Sequence, residues 1–311
     1  MPDDVHILGF GVSAIDDLVY VDGVLSAGKG KVLRRERAYG GNIATALVAA
    51  ARLGGRTGFV GWLGDQPASL ASAAELERHG VDTTAAPRRP DALPIRSTIV
   101  VGPDGDRFIA YDDDVPHGTS DTLADAILAQ ARVLLIDGYA VHSVAVVARA
   151  RALGLAIVAD IEWSCGDVTG RVMDLSDHLV IPIGFARSAT GGSDAAAMLS
   201  ALWSEHRAAV VLTDGDRGAY LRQRGDAVMW HVPAHRVAPV DTTGAGDVFH
   251  GDYAVALAEG QTPLDCMILA TAAAALSTTG HGGRGALPDR NQCRRVMDGA
   301  NAPVPVPMLS P

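Results

Sequence analysis

The sequence predicts an α/β protein, a doubly wound and mostly parallel sheet flanked by helices, on three observations. Short apolar runs of strand length alternate with helical segments of about 10 to 15 residues, the pattern of a parallel sheet covered on both faces. A chain of 311 residues with 48% hydrophobic content can enclose one large core. Two stretches, 18–37 and 95–111, break the alternation; in the second, Ile95, Ser97, Ile99 and Val101 recur with the period of two that marks antiparallel strands.

In chain order, Met1-Pro2-Asp3-Asp4 runs straight into an apolar strand, which leads into the first antiparallel stretch. Gly40 and Gly41 precede a helix that Asn42 is placed to cap, and their unobstructed N–H groups can approach a ligand. Residues 83–94, rich in Pro and Arg, read as a linker into the second antiparallel stretch. Beyond it, 133–136, 156–159, 178–181 and 209–212 read as buried strands, with helices over 120–131, 141–153 and 193–206. Thr213, Gly215 and Gly218 fall at and just after a strand end, where open α/β sheets bind ligands; a tight hairpin into a strand at 219–222 fits the same residues. Residues 248–259 are Ala-rich, lack Gly after Gly251 and stop at Gly260 and Pro263, so they form a helix. Residues 301–311 read as a loose tail after a single domain over 1–300.

Composition narrows the function. A formal charge of −10 and no basic run longer than Arg34-Arg35 with Arg37 argue against a nucleic-acid partner. Cys165, Cys266 and Cys293 are odd in number and widely spaced, so neither a disulfide framework nor a zinc site is expected. The N-terminus lacks the basic region of a signal peptide and no apolar stretch approaches ~18 residues, so a cytoplasmic protein without a membrane partner is expected.

The most informative segment is Asp241-Thr242-Thr243-Gly244-Ala245-Gly246-Asp247, at the entrance of the 248–259 helix. Gly244, Ala245 and Gly246 have no bulk to hold a ligand away, so their amides and the positive end of the helix dipole can face an anion. A carboxylate in the same turn would repel that anion unless it acts as a base, taking a proton from an alcohol that attacks a bound phosphoryl group. The alternative for these residues is a turn that only caps a helix. Gly9-Phe10-Gly11-Val12-Ser13-Ala14 fits a loose dinucleotide fingerprint, but strand-like residues follow it, and no P-loop motif occurs.

Asp-Thr-Thr-Gly-Ala-Gly-Asp-x-Phe-x-Gly resembles the C-terminal signature of the ribokinase/PfkB-type carbohydrate kinases. Gly40-Gly41-Asn42 with Ala51-Arg52-Leu53-Gly54 is similar to that family's N-terminal segment, and 211–219 to the strand and turn bordering its nucleotide. The likeness spans roughly residues 5–290. It implies a ribokinase-like fold with a small β-sheet lid built from about 16–38 and 95–112, a homodimer joined through that lid, and ATP with Mg2+ as cofactors. It implies that Asp247 is the base, that Asp16 accepts hydrogen bonds from the sugar, and that Asp241 and Thr243 help to hold K+ beside main-chain oxygens of 278–285. Thr45 stands where most members place a sugar-binding Asn, and the family's Asn-x-x-Glu near the metal has no counterpart in 181–187.

Ala27-Gly28-Lys29, Thr45 and Gly282-Gly283-Arg284-Gly285-Ala286-Leu287-Pro288 resemble the sulfofructose kinase branch, where a lysine faces the sulfonate; Tyr139 and Tyr111 stand where that branch carries an arginine and an asparagine. A solvated lid lysine is the other reading of Lys29. The resulting expectation is an ATP-dependent kinase for a primary hydroxyl of a small sugar or derivative. A nucleoside kinase, or a sensor of the same fold without catalysis, is the alternative.

Overall fold

The computed structural model describes residues 6–103, 106–298 and 302–307. From the N-terminus, β1 (His6–Phe10) leads to β2 (Ala14–Val21), β3 (Val32–Gly40), α1 (Asn42–Arg52), β4 (Arg56–Phe59), α2 (Pro67–Arg78) and β5 (Val81–Asp82). Next come β6 (Ile95–Val101), β7 (Arg107–Asp112), α3 (Asp125–Leu128), β8 (Val133–Asp137), α4 (Val144–Ala152), β9 (Ala156–Asp160) and α5 (Asp167–Leu175). The order continues through β10 (His178–Pro182), α6 (Ile183–Thr190), α7 (Ala195–Leu202), β11 (Ala209–Thr213), β12 (Ala219–Gln223) and β13 (Val228–Val232). The last elements are α8 (Ala245–Ala258), α9 (Pro263–Ser277), α10 (Arg290–Asp298) and β14 (Val304–Pro307).

One ten-stranded sheet runs β14-β13-β12-β11-β10-β9-β8-β1-β4-β5. Pairing is parallel from β11 to β5 and antiparallel at the edge formed by β11, β12, β13 and β14. Because side chains alternate across a strand, Val133 and Leu135 of β8 enter one apolar layer with α1, α8 and α9, while Leu134 and Ile136 enter the opposite layer with α4 and α7. That is the doubly wound core the sequence predicts.

The lid is a second sheet, ordered β3-β2-β6-β7. Its hairpins β2–β3 and β6–β7 are antiparallel as expected, but β2 and β6 pair in parallel because the whole α1-to-β5 unit separates them. Asp16 lies on β2, opposite Ala38 and Ser97 in the ladder.

Several sequence expectations need correction. The helix expected over 120–131 contracts to the single turn of α3, because Thr122 N–H donates to Ser120 Oγ at 3.2 Å and the two hydroxyls lie 2.8 Å apart, a local turn that competes with helix. A 3-10 turn over 138–142, capped by Asp137 accepting Tyr139 N–H at 3.0 Å, delays α4 to Val144. α7 starts at Ala195, where Asp194 accepts Ala197 N–H at 2.9 Å, and ends before the extended Trp203. The expected loose tail is in part a strand: β14 pairs with β13 at the sheet edge, where Pro305 and Pro307 are tolerated. Residues 301 and 308–311 of that tail lie outside the described residues.

Candidate active site

The heptapeptide forms a closed turn. Asp241 Oδ1 accepts the N–H of Thr243 at 3.0 Å and its hydroxyl at 2.7 Å, and Oδ2 accepts Gly282 N–H at 2.9 Å. The N–H groups of Val240 and Asp241 donate to Thr278 O at 2.7 and 3.0 Å. The 278–285 loop is thereby tied to the helix entrance. Gly244 adopts φ 73° as the cap of α8, and a Cβ there would lie 2.7 Å from Gly283 Cα. Both conditions demand glycine. Val248 N–H reaches Gly244 O at 2.9 Å, while the N–H of Ala245 leans on Thr242 O at 3.3 Å, so Ala245 offers its amide less freely than the sequence reading supposed.

Asp247 follows in the first turn of α8. It opens partly to solvent on one side and is enclosed by protein on the others, which holds its carboxyl well above the usual range. Burial is the main cause; the carboxylates of Asp160, Glu162 and Asp137 add to it, and the Arg284 guanidinium opposes it. The acids come from strand ends: Asp137 closes β8 and is pushed up to about 7 by burial, although Val12 N–H donates to it at 2.7 Å. Asp160 closes β9; its Oδ2 accepts the Asn42 amide at 3.2 Å, and its buried Oδ1 has no hydrogen-bond partner among the described residues. Glu162 is likewise raised by burial and by Asp160. His250, one turn into α8, binds Gly246 O at 2.7 Å and Val180 O at 2.9 Å and lies 3.5 Å from Asp160. It ties α8 to the sheet.

Beside these acids lies a pocket of about 260 Å³ lined by Asn42, Tyr111, Asp113, Tyr139, Glu162 and Trp163 together with Asp137 and Asp160. Tyr139 and Trp163 meet edge to face, with ring centroids 5.1 Å apart. Asn42 does not cap α1; Gly41 holds that position, and the Asn42 side chain turns to Asp160 instead. Asp16 accepts the Ser97 hydroxyl and lies against Gly40, where a Cβ would come within 3.0 Å of its carboxylate. Burial raises its carboxyl, and both Ser97 and Arg284 lower it.

Arg284 joins these groups: Nε donates to Thr45 Oγ1 at 3.2 Å and a terminal nitrogen to Gly40 O at 3.1 Å. The sequence reading quoted Arg284 only within a motif and gave it no role. Asp160 and Glu162 were also missed; their signal was an acid-x-acid pair just past a strand end. Lys29 stays outside this group, exposed on the β2–β3 hairpin.

Thr213 ends β11, and Gly215 and Gly218 form the turn into β12. Gly218 adopts φ 94° with Val232 O 2.0 Å from where a Cβ would be. Among the described residues, no three His, Cys, Asp or Glu side chains are arranged to hold a metal ion by themselves. No helix there is long and apolar enough to cross a membrane.

The chain resembles known sugar kinases over nearly its whole length. A fructokinase of Klebsiella pneumoniae is 28% identical over 304 residues, covering 88% of this chain and 95% of that enzyme. The ribokinase of Bacillus subtilis is 38% identical over a shorter span of 90 residues, 29% of this chain and 30% of that enzyme's length. The solved structure of a ribokinase candidate from Agrobacterium tumefaciens superimposes with a TM-score of 0.84 at 27% identity, covering 95% of this chain and 98% of the other. The family model for pfkB family carbohydrate kinases matches residues 10–290. The chain therefore belongs to the pfkB family of carbohydrate kinases.

Proposed function

We propose that this ATP-dependent carbohydrate kinase phosphorylates a primary hydroxyl of a small, uncharged sugar or sugar-like polyol. One observation carries the reading: Asp247 lies in the first turn of α8, between a glycine-built amide entrance and a pocket walled by lid and core. Asp247 takes the proton of the acceptor hydroxyl as its oxygen attacks the terminal phosphoryl group of ATP. The amides of Gly244, Ala245 and Gly246 face the charge of the transferring group, with Ala245 the weakest contributor. A positioned base contributes about 10²–10⁴-fold, and one lost anion-hole donor costs roughly 2.7–4 kcal/mol, so cradle and base are of comparable weight.

Asp16, the Gly40-Gly41 turn and Asn42 orient the acceptor, while Tyr139 and Trp163 present apolar faces to a sugar ring. The residues lining the pocket include four carboxylates and no lysine or arginine. Arg284, held on Gly40 and Thr45, stands outside that lining, so an anionic group would meet repulsion only where it lies among the four carboxylates. Thr213, Gly215 and Gly218 border the nucleotide.

Magnesium suits the acidic strand ends: Asp160 Oδ1 is buried near Glu162 and, among the described residues, accepts no hydrogen bond, with His250 Nε2 3.5 Å away, and an ion that keeps several waters needs no cage of protein ligands. When bound with ATP it would neutralise charge on the phosphates. Asp241, Thr243 and main-chain oxygens of the 278–285 loop would hold K+, because the Asp241 carboxylate already draws both segments together. The outward Leu33, Phe108 and Ile109 of the lid fit a homodimer.

The test is ADP release with MgATP across ketoses, pentoses, nucleosides and anionic sugars, with KCl or NaCl. Turnover confined to uncharged sugars and raised by KCl is expected. Preference for a sulfo- or phosphosugar overturns the uncharged acceptor, and silence across the panel overturns the kinase assignment.

A further inference from the structure

We infer that Arg284 is a positioning residue for the general base: its guanidinium, anchored on Thr45 and Gly40, holds a fixed positive charge between Asp16 and Asp247. The inference rests on the kinase reading above and goes beyond it, since neither the base nor the sugar acid requires such a partner in principle.

The geometry is built rather than incidental. Thr45 is buried in the first turn of α1, and its hydroxyl accepts the Arg284 Nε–H at 3.2 Å. The Gly40 carbonyl, at the end of β3, accepts from the terminal nitrogen at 3.1 Å. The preceding Gly283 packs against Gly244, so Arg284 enters the site from the loop that closes the anion entrance. The 40–45 segment and the 283–284 loop, distant in sequence, thus hold one guanidinium on Gly40, which itself lies against Asp16, beside the glycine turn that opens the helix of Asp247. A threonine at position 45 leaves room and a hydroxyl acceptor for it.

The electrostatics agree. Asp247 faces Asp160 and Glu162 beyond β9, Asp137 at the end of β8, and Arg284, whose charge alone favours its ionised form. Arg284 in turn faces Asp247, Asp16 on β2, and Glu75 and Arg78 on α2; burial brings it down to about 10, so it remains a cation at neutral pH. Without it, no arginine or lysine would oppose the carboxylates that raise Asp247 in the metal-free protein, and its proton would leave only at higher pH.

The experiment separates charge from anchoring. R284Q keeps a donor for Thr45 or Gly40 but loses the charge; R284K keeps the charge but loses the fork. In pH profiles of kcat/KM with the best sugar, the acid limb of R284Q should move toward alkaline pH by about one unit or more, with partial recovery on the alkaline side. R284K should keep its limb near that of the wild type while kcat falls. A merely structural role lowers activity at every pH without moving the limb. An R284Q limb coincident with wild type, or equal shifts in both variants, overturns the proposal. A wild type that phosphorylates no acceptor at any pH refutes the kinase reading instead. In that case, carbon-13 titration of the Asp247 carboxyl, identified by its loss in D247N, still decides the role of Arg284: an unchanged midpoint in R284Q overturns it.

Discussion

A carboxyl crowded by other carboxyls and by burial binds its proton more tightly than one in water, and Asp247 is in that position in the ligand-free fold. Two consequences follow. D247N should lower kcat by about 10²–10⁴-fold or more while MgATP binding, read by calorimetry, changes little. D247N should also be the more heat-stable protein at neutral pH. The sign follows from linkage: the folded state holds this proton more tightly than the unfolded chain, so its stabilising share is full below the unfolded value near 3.8 and is lost as pH rises through the raised folded value. An asparagine loses nothing on that rise, so the difference in Tm should widen with pH and vanish in acid. A gap that narrows toward alkaline pH would contradict this account. The turn that brings Asp247 and its glycines together was legible because they are contiguous in sequence. Arg284 was not, since its meaning comes from Thr45 and Gly40, 239 and 244 residues away.

At the scale of elements, α8 is held by contacts that its sequence only partly announces. Its hydrophobic face covers most of its circumference, with buried residues from Val248 to Ala256 in an unbroken run, as expected of a helix packed between sheet, α1 and α9. Tyr253 OH meets His178 Nδ1 at 2.9 Å, which fixes the helix against β10. Gly251 brings it against α1, for a Cβ there would lie 2.0 Å from Ala46 O. G251A should therefore cost about 1–3 kcal/mol or more in urea unfolding, and kcat should fall because the turn bearing Asp247 moves with the helix. A G251A protein with unaltered midpoint and turnover would refute this close approach. The strands of the core were legible from their apolar runs, in which His178 is the one polar side chain. The helix over 120–131 was misjudged because side-chain bonds of Ser120 and Thr122, invisible to periodicity, compete for the backbone.

At the scale of the whole molecule, the lid side contributes Tyr111 and Asp113 to a pocket whose other walls, Asp137 and Asp160, close core strands, so on the proposed reading acceptor binding depends on how the two sheets meet. The same lid turns Leu33, Phe108 and Ile109 outward, each more than half exposed. Leu33 sits on the β3 edge and Phe108 and Ile109 on the opposite β7 edge, the last two on opposite faces, so a second copy would cover them by meeting a sheet edge. If the dimer forms there, charge at those positions should act on assembly and acceptor affinity together. L33E/F108E should sediment as a monomer, raise KM for the sugar and leave MgATP affinity near that of the parent, because the turn at Thr213, Gly215 and Gly218, proposed above to border the nucleotide, lies on the core sheet. A variant that stays dimeric would move the interface elsewhere. One that becomes monomeric with unchanged KM would separate assembly from the order of the lid.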